Sequence, residues 1–392
     1  MKIAIAQLNY TIGDIDGNAS KIIDSINKAK AQRADLVIFA EQAVSGTPAF
    51  DLLRKTTFLE LCEDALVEIA SCCDGIAAIV GLPILTREGT ISAAALIQDR
   101  KVLRYVGKKY ITARREMGFL VPSKGFEYAT IKGHKCAIIV GDDLSREHDF
   151  DKSVETVISI NARKYGKGTM TYRYEMMRNL AFVESKNLVL VNQVGGSTDI
   201  VYDGTSGALN SRGELVLMMK NFEEDFQIFD TKASARPISI PSTYNDRTRL
   251  VYEAARCGLR DFFRKNGYRK ASIGLSGGID SAVGASIAAD ALGAENVRAL
   301  LMPSPFSSLE SVEDAKELAR NLGIEYNVIP ISEIYTSVVN TLKPVIGGTE
   351  FDATEENIQT RIRTVLLMAL QNKTDYILLS SSNKSENALG LC

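Results

Sequence analysis

One stretch decides how the C-terminal part of the chain folds: Gly274-Leu275-Ser276-Gly277-Gly278-Ile279-Asp280-Ser281-Ala282. The partly apolar residues before it predict the end of a strand, and the alanine-rich run from Ala282 to Leu292 predicts a helix. Glycine allows the backbone to approach a ligand closely, and the amides of such a turn and helix N-terminus favour an anion. We therefore predict a phosphate-binding turn between a strand and a helix.

The spacing within this turn excludes two common nucleotide-binding loops. It lacks the G-x-x-x-x-G-K-[ST] pattern of P-loop NTPases and the G-x-G-x-x-G pattern of dinucleotide-binding folds. The residues from Ser276 to Ser281 instead resemble the pyrophosphate loop of enzymes that adenylate a carboxylate or carbonyl group. Asp280 and Ser281 follow where a metal-bound triphosphate needs oxygen ligands. A glycine turn that enters a helix and binds nothing is the alternative interpretation.

Strands and helices continue to alternate after this loop. Apolar runs predict strands at Val297 to Met302, Tyr326 to Ile331 and Tyr376 to Leu379. Helices are predicted from an N-cap at Ser311 to a stop at Gly323, and from Glu355 to Asn372. Ligands of open parallel sheets bind beyond the carboxyl ends of the strands. We therefore expect the loops after Ile273, Met302 and Leu379 to converge on one site.

The first 228 residues also alternate between strand and helix patterns, with several hairpin-like pairs of strands. These features predict an α/β fold in the form of a layered α/β/β/α sandwich. Two prolines among small and polar residues mark residues 229–245 as an extended linker. A helix is predicted from Arg247 to Asn266, with one apolar face formed by Leu250, Val251, Ala254, Leu259 and Phe262. The third segment, residues 246–392, carries the phosphate-binding turn.

Composition limits the possible functions. The 392 residues fit two or three domains, and a net charge of -2 does not indicate a nucleic-acid or membrane partner. The first residues, Met1 to Gln7, predict a strand rather than the apolar core of a signal peptide, and no apolar run reaches the roughly 18 residues that span a bilayer. The six cysteines form no C-x-x-C pair, which favours a reducing cytoplasm. Two histidines are too few for a histidine metal site.

Several segments of the first part resemble the nitrilase-type glutaminase domain of glutamine-dependent NAD synthetases. They are Ala6-Gln7-Leu8-Asn9, Gly13-Asp14, Glu41, Val191-Asn192-Gln193-Val194-Gly195-Gly196 and Asp203-Gly204. The resemblance implies hydrolysis of glutamine by a Glu, a Lys and a Cys. This chemistry needs a thiolate nucleophile, a carboxylate base and a cation beside the developing oxyanion.

The catalytic positions match that family only in part. Glu41 stands at the position of the base and Lys108 at that of the lysine, with Lys109 as an alternative register. The nucleophile position reads Gly141, in Gly141-Asp142-Asp143-Leu144-Ser145. The loop from Ile111 to Glu116 departs from the family pattern, and Arg163-Lys164 replaces its Ser-Pro pair. Cys136 lies inside an apolar strand and is expected to be inert. We therefore expect no glutaminase activity.

The last part resembles the NAD synthetase domain itself, an adenine-nucleotide α-hydrolase-like parallel sheet. The matching motifs are Met302-Pro303-Ser304, Glu356-Asn357-Ile358-Gln359, Arg361-Ile362-Arg363 and Asn383-Lys384-Ser385-Glu386. The resemblance implies that the residues from Gly274 to Ser281 and Ser381 bind ATP. It also implies that Asn357 and Glu386 bind the deamido dinucleotide, and that Asp280 and Glu386 lie near Mg²⁺. For Glu356, Arg361 and Arg363, a solvated helix face with i, i+4 pairing stays open.

The resemblance implies a cytoplasmic ligase that amidates nicotinic acid adenine dinucleotide (deamido-NAD) to NAD through an acyl-adenylate. ATP and Mg²⁺ would be required. Because Gly141 stands at the nucleophile position, we expect free ammonia to supply the nitrogen, with glutamine as the alternative source. Family members continue beyond Asn-Lys-Ser-Glu, so we expect a C-terminally truncated synthetase domain with poorly covered strands at Val297 to Met302 and Tyr376 to Leu379. The resemblance also implies a homo-oligomer. The alternative is a non-catalytic fragment that serves as a folding or interaction scaffold.

Overall fold

The computed structural model describes residues 1–233, 236–244, 246–347, 350 and 352–389. The chain divides into two compact units, which part between Gly258 and Leu259. Each unit has its own sheets and core. No helix in the described ranges combines the length and the apolar character that a bilayer crossing needs.

The first unit contains two mixed sheets. Its strands are β1 (Lys2–Gln7), β2 (Leu36–Ile38), β3 (Ala77–Leu85), β4 (Thr90–Gln98), β5 (Lys101–Gly107), β6 (Glu127–Ile131), β7 (His134–Val140), β8 (Thr156–Asn161), β9 (Asn187–Asn192), β10 (Val194–Ser197), β11 (Ile200–Asp203), β12 (Gly207–Leu209), β13 (Leu215–Met218) and β14 (Asp225–Asp230). One sheet has the order β14-β1-β2-β3-β4-β5 and the other β13-β12-β9-β8-β7-β6, while β10 and β11 form a separate antiparallel ribbon. The helices are α1 (Ile15–Ala31), α2 (Thr56–Ser71), α3 (Thr169–Glu184) and α4 (Arg247–Lys265), and the unit boundary falls within α4.

Alternation along the strands sorts side chains into layers, because successive residues of a strand point to opposite faces. In β1, Ala4 and Ala6 belong to the core under α1 and α2. Ile3 and Ile5 of the same strand belong to the core between the two sheets. On the far side of the second sheet, the residues of β9 that face outward pack with α3. The α/β/β/α sandwich predicted from the sequence is therefore confirmed.

The second unit is a parallel sheet covered by helices. Its strands are β15 (Lys270–Gly274), β16 (Val297–Leu301), β17 (Glu325–Val328) and β18 (Tyr376–Leu379), in the order β17-β16-β15-β18. Its helices after α4 are α5 (Ile279–Leu292), α6 (Leu309–Leu322), α7 (Ser332–Ile346), α8 (Ala353–Lys373) and α9 (Lys384–Leu389). The chain proceeds from β15 outward to β17 and then returns to the other side of β15. The strand order thus reverses between β15 and β18, which is where ligands bind in such sheets.

The predicted boundaries of α6 need one correction. Ser308, rather than Ser311, is the N-cap, because its side chain accepts a hydrogen bond from the Ser311 amide. The amide of Ser311 is thus the group being capped, three residues into the helix. At the other end, Gly323 is left-handed with φ +70° and ends the helix as predicted.

The predicted apolar face of α4 is wrong at two positions. Val251 is 58% exposed and Phe262 is 46% exposed. The first half of the helix instead packs through Leu250, Ala254 and Cys257 against the core beneath α3. These residues follow the i, i+4, i+7 spacing of one helix face, which Val251 does not share.

Strand β16 is better covered than the sequence predicts. Val297, Ala299 and Leu301 are at most 2% exposed and pack in a core with residues of α5 and α6. Leu300 belongs to a second core, with residues of α7 and α8. Helices therefore cover both faces, as a parallel sheet requires. The expectation that β16 is poorly shielded from solvent is wrong. In β18, at the sheet edge, Tyr376 is buried and the following residues are half-buried.

Candidate functional site

The first unit gathers its predicted catalytic residues where three strands end. Glu41 follows β2, Lys108 follows β5 directly, and Gly141 follows β7 directly. Glu41 and Lys108 are each 3% exposed. The Lys108 Nζ lies 3.2 Å from Glu41 Oε1, so the two side chains form a buried ion pair. Lys109 points elsewhere, with its Nζ over the Tyr110 ring.

Two further carboxylates surround the Lys108 ammonium. Glu116 Oε2 accepts a hydrogen bond from Lys108 Nζ at 3.0 Å, and Asp142 Oδ2 lies 3.6 Å from the same nitrogen. Burial alone would lower the pKa of Lys108, but Glu41, Glu116 and Asp142 together raise it above its usual value. Lys108 therefore stays charged. Glu116 and Asp142 lie in segments next to the predicted catalytic positions, but no sequence pattern predicts that either contacts Lys108.

Further polar contacts hold the Glu41 and Asp142 carboxylates of this cluster in place. Ser92 on β4 donates its hydroxyl to Glu41 Oε1 at 2.8 Å. Asp142 accepts from the hydroxyl of Thr112 at 2.5 Å, and its other oxygen lies 3.8 Å from Arg163 Nη2. Burial would raise the pKa of Asp142, but Lys108, Thr112 and Arg163 together lower it. Ser92 belongs to no recognised sequence motif, so its contact with Glu41 is seen only in the structure.

Gly141 faces the cluster with its backbone. A Cβ atom added there would lie 2.5 Å from Glu41 Oε2 and 2.9 Å from Lys108 Cε. The φ angle of Gly141 is +58°, a conformation that side-chain-bearing residues rarely adopt. The side chains of Glu41 and Lys108 thus fill the space that a side chain at position 141 would occupy.

Cys136 is separated from this cluster by its orientation in β7. It is fully buried in the core between the sheets, on the same strand face as Ile138 and Val140. Burial raises the pKa of its thiol to about 12, with a smaller contribution from Glu155. The thiol is therefore protonated at neutral pH and behaves as a small apolar side chain.

The second unit has a cavity of about 830 Å³ at the carboxyl edge of its sheet. Residues that follow β15, β16 and β18 all line it, which confirms the predicted convergence of the three strand-end loops. Of the predicted ATP-binding residues, the cavity wall includes Gly274, Leu275, Ser276, Ser281 and Ser381. Gly277, Gly278, Ile279 and Asp280 lie outside the lining. A cavity of this size suits a nucleotide-sized ligand.

The glycine turn has a tightly specified backbone. Gly277 has φ +84°, and a Cβ atom there would collide with the carbonyl oxygen of Ser311. The Ser281 hydroxyl donates to the Gly278 carbonyl at 2.9 Å and accepts from the Ser276 amide at 3.2 Å. Helix α5 begins at Ile279 with no side-chain cap hydrogen bond. Its first amides are therefore available to an anion, as the sequence predicts for this turn.

The two predicted metal ligands are linked through Asn383. Its Nδ2 donates to Asp280 Oδ2 at 3.4 Å, and its backbone amide donates to Glu386 Oε2 at 3.0 Å. Within the described ranges, no group of three or more His, Cys, Asp or Glu residues has a metal-binding arrangement. Two carboxylates nevertheless fit Mg²⁺, because this ion usually takes one or two carboxylates and completes its shell with phosphate and water.

Asn357, predicted to bind the deamido dinucleotide, lies on α8 outside the cavity lining. Its carbonyl oxygen accepts from Arg361 Nη1 at 3.2 Å. Thr360 and Thr364, further along the same helix, do line the cavity, as does Glu386. The structure thus brings Glu386 to the cavity, while Asn357 stands one turn away from its wall.

Relatives of known function cover the whole chain. A family model described as NAD synthase matches residues 251–392. A glutamine-dependent NAD(+) synthetase from Acinetobacter baylyi is 36% identical, over 100% of this chain and 74% of that protein. The enzyme of the same name from Aquifex aeolicus is 34% identical, over 100% of this chain and 76% of that protein. The chain thus spans about three quarters of the length of these relatives.

Solved structures agree with both parts of the fold. Glutamine-dependent NAD+ synthetase from Acinetobacter baumannii, in complex with ADP, matches with a TM-score of 0.90 and 34% identity, over 100% of this chain and 76% of that one. An amidase of the nitrilase superfamily from Nesterenkonia matches with a TM-score of 0.52 and 19% identity, over 64% of this chain and 95% of that one. The second match shows the nitrilase-like fold alone. Because the chain is 34% to 36% identical to these synthetases over its whole length, it belongs to the glutamine-dependent NAD(+) synthetase family of carbon–nitrogen ligases.

Proposed function

We propose that this chain amidates deamido-NAD to NAD with ATP, through an acyl-adenylate, and takes its nitrogen from free ammonia. The observation that carries the proposal is the cavity of about 830 Å³ at the carboxyl ends of β15, β16 and β18. The uncapped N-terminus of α5 and the hydroxyls of Ser276, Ser281 and Ser381 give this region the donors that a triphosphate needs.

In the first step, a carboxylate oxygen of deamido-NAD attacks the α-phosphorus of ATP. The bond from that phosphorus to the bridging oxygen breaks, and pyrophosphate leaves with the electron pair. We propose that the residues from Gly274 to Ser281 and Ser381 hold the triphosphate, and that Asn357 and Glu386 hold the deamido dinucleotide. Mg²⁺, held by Asp280 and Glu386, would neutralise phosphate charge.

In the second step, ammonia attacks the acyl carbon, AMP leaves, and the added nitrogen loses a proton to give the amide. Ammonia comes from solution because no described residue of the first unit places a thiol beside Glu41 and Lys108. Support comes from Gly141, where an added Cβ atom would lie 2.5 Å from Glu41 Oε2. The Lys108 ammonium is instead neutralised by its own carboxylates.

We assign these roles to three segments. Residues 1–228 form a nitrilase-like domain without glutaminase activity, 229–245 a linker, and 246–392 the synthetase domain. A homo-oligomer and a cytoplasmic location stay predictions from the family resemblance.

Oxygen transfer tests the acyl-adenylate route. Deamido-NAD carrying ¹⁸O in its carboxylate is incubated with the protein, Mg-ATP and ammonium, and AMP is analysed by mass spectrometry. We expect one ¹⁸O atom in AMP and equal amounts of AMP, pyrophosphate and NAD. Release of ADP and phosphate would contradict the route. Absence of any product would favour the scaffold interpretation.

A further inference from the structure

Arg363 brings a positive charge to the wall of the nucleotide cavity. Among the described residues that line this cavity, it is the one lysine or arginine. It shares a face of α8 with Thr360, Thr364 and Leu367, which also line the cavity and follow the i, i+3, i+4, i+7 spacing of a helix face. The position of the side chain is therefore set by the helix rather than by a surface loop.

Two contacts fix where this face of α8 lies. Arg363 Nε donates to the Met302 carbonyl at 3.1 Å, just beyond the end of β16. One turn along the helix, Leu367 Cδ1 would lie 3.4 Å from a Cβ atom on Gly274, the last residue of β15. Arg363 thus lies at the carboxyl edge of the sheet and lines the cavity that the start of the glycine turn also lines.

The charge of Arg363 has no protein counterpart in this part of the chain. No carboxylate of a described residue lies within 4.0 Å of its guanidinium, and among described residues the Met302 carbonyl is its hydrogen-bond partner. Its neighbours four residues away on α8 are Gln359 and Leu367, so the i, i+4 ion pair of a solvated helix face is not possible. A half-buried cation without a nearby carboxylate is costly unless a ligand supplies the anion.

We propose that Arg363 binds the phosphate chain of ATP in this cavity and stabilises the charge that pyrophosphate carries away. The planar guanidinium suits this task because it can donate two parallel hydrogen bonds to phosphate oxygens. The inference rests on the proposed adenylation step and adds one residue to it. When the bond between the α-phosphorus and the bridging oxygen breaks, pyrophosphate takes the electron pair, and the Arg363 guanidinium would donate hydrogen bonds to the oxygens that gain charge.

Calorimetry separates a phosphate contact from a structural role. Binding of Mg-ATP and of adenosine is measured for the full chain, for Arg363→Met and for Arg363→Lys. Lys373→Met, at the exposed end of the same helix, is the matched control. We expect Arg363→Met to weaken Mg-ATP binding by roughly 10-fold to 100-fold, the scale of a lost hydrogen bond to a charged group. Adenosine binding should not change, and Arg363→Lys should lose less than Arg363→Met.

Two results would overturn the proposal: unchanged Mg-ATP binding by Arg363→Met, or an equal loss of Mg-ATP and adenosine binding. The second would mean that Arg363 only supports the cavity wall. These binding experiments do not need turnover, so they decide the role of Arg363 even if the chain makes no NAD. Where the wild type does make NAD, Arg363→Met should lower kcat as well as raise the KM for ATP, whereas Lys373→Met should change neither.

Discussion

The Glu41 carboxylate lies directly against the backbone of Gly141, and a Cβ atom on Gly141 would stand 2.5 Å from Glu41 Oε2. Lys108 Nζ would be 3.0 Å from the same Cβ atom. The residues predicted as base and cation thus lie together, and no sulfur atom of a described residue lies between them. The two side chains form a buried ion pair in the space that a nucleophilic side chain at position 141 would occupy.

Glutamine hydrolysis should be absent. Without a thiol at position 141, no thioester can form, and the protonated thiol of Cys136 is held between the sheets. Release of labelled glutamate from glutamine measures this activity. Glu41→Ala is the control, because it removes the carboxylate at the base position. Glutamate release by the wild type that disappears in Glu41→Ala would contradict the prediction.

Gly141→Cys should fail to restore hydrolysis and should destabilise the protein. The new Cβ atom needs a strained φ of +58° and meets Glu41 and Lys108 at 2.5 to 3.0 Å. We expect a loss of more than about 1–2 kcal/mol in unfolding free energy, since strained φ alone costs that much. Urea unfolding measures the loss, and the glutamate assay measures activity.

Gly133→Cys is the matched control for that experiment. Gly133 has φ +83°, and a Cβ atom there would meet nothing within 4 Å. This variant therefore shows the cost of the φ angle without the contacts of position 141. Equal losses in the two variants, or glutamate release by Gly141→Cys, would show that Glu41 and Lys108 move aside easily.

Particular residues show what the sequence could predict. The turn at Gly277 was predictable because its glycines join a strand to an alanine-rich helix, and the convergence of strand ends follows from a parallel sheet. The Glu116–Lys108 contact was not, because Glu116 lies in a loop without periodicity. The expectation of a poorly covered β16 fails because α5, α6, α7 and α8, which all precede the Asn383-Lys384-Ser385-Glu386 motif, already cover its two faces. The exposure of Val251 was missed because apolar residues on adjacent helix positions do not define one face.

Glu116 should make stability depend on pH. Burial, and then the nearby Glu41, raise the pKa of Glu116 above 4.5, although Lys108 opposes the shift. At pH values between 4.5, the ordinary pKa of a glutamate, and the higher pKa of Glu116 in the folded protein, the folded state binds more protons than the unfolded state. The contribution of Glu116 to the free energy of unfolding therefore falls as pH rises. The wild type should therefore lose stability relative to Glu116→Gln as pH rises through that window.

Urea unfolding at a series of pH values tests the sign of this difference. Glu88→Gln, which alters an exposed loop carboxylate, is the control and should follow the wild type throughout. If the stability of the wild type instead rises relative to that of Glu116→Gln as pH rises, the Lys108 ammonium dominates the titration of Glu116.

Asp280→Ala should weaken binding of Mg-ATP. Asp280 lies in the first turn of α5, and Asn383 links it to Glu386, so its removal takes away one of two proposed metal carboxylates. We expect about a tenfold loss, the effect of roughly 1.4 kcal/mol. Asp314→Ala, an exposed carboxylate on α6, is the control for a change of charge. Equal calorimetric affinities of Asp280→Ala and wild type would exclude this role.

The source of nitrogen tests the central claim most directly. The protein is incubated with deamido-NAD, Mg-ATP and equal concentrations of ¹⁵N-ammonium and unlabelled glutamine, and in a second reaction the label is placed in the glutamine amide. We predict that the amide of NAD carries ¹⁵N in the first reaction and ¹⁴N in the second. NAD labelled from the glutamine amide would show a working glutaminase despite Gly141, and no NAD in either reaction would contradict the proposed amidation.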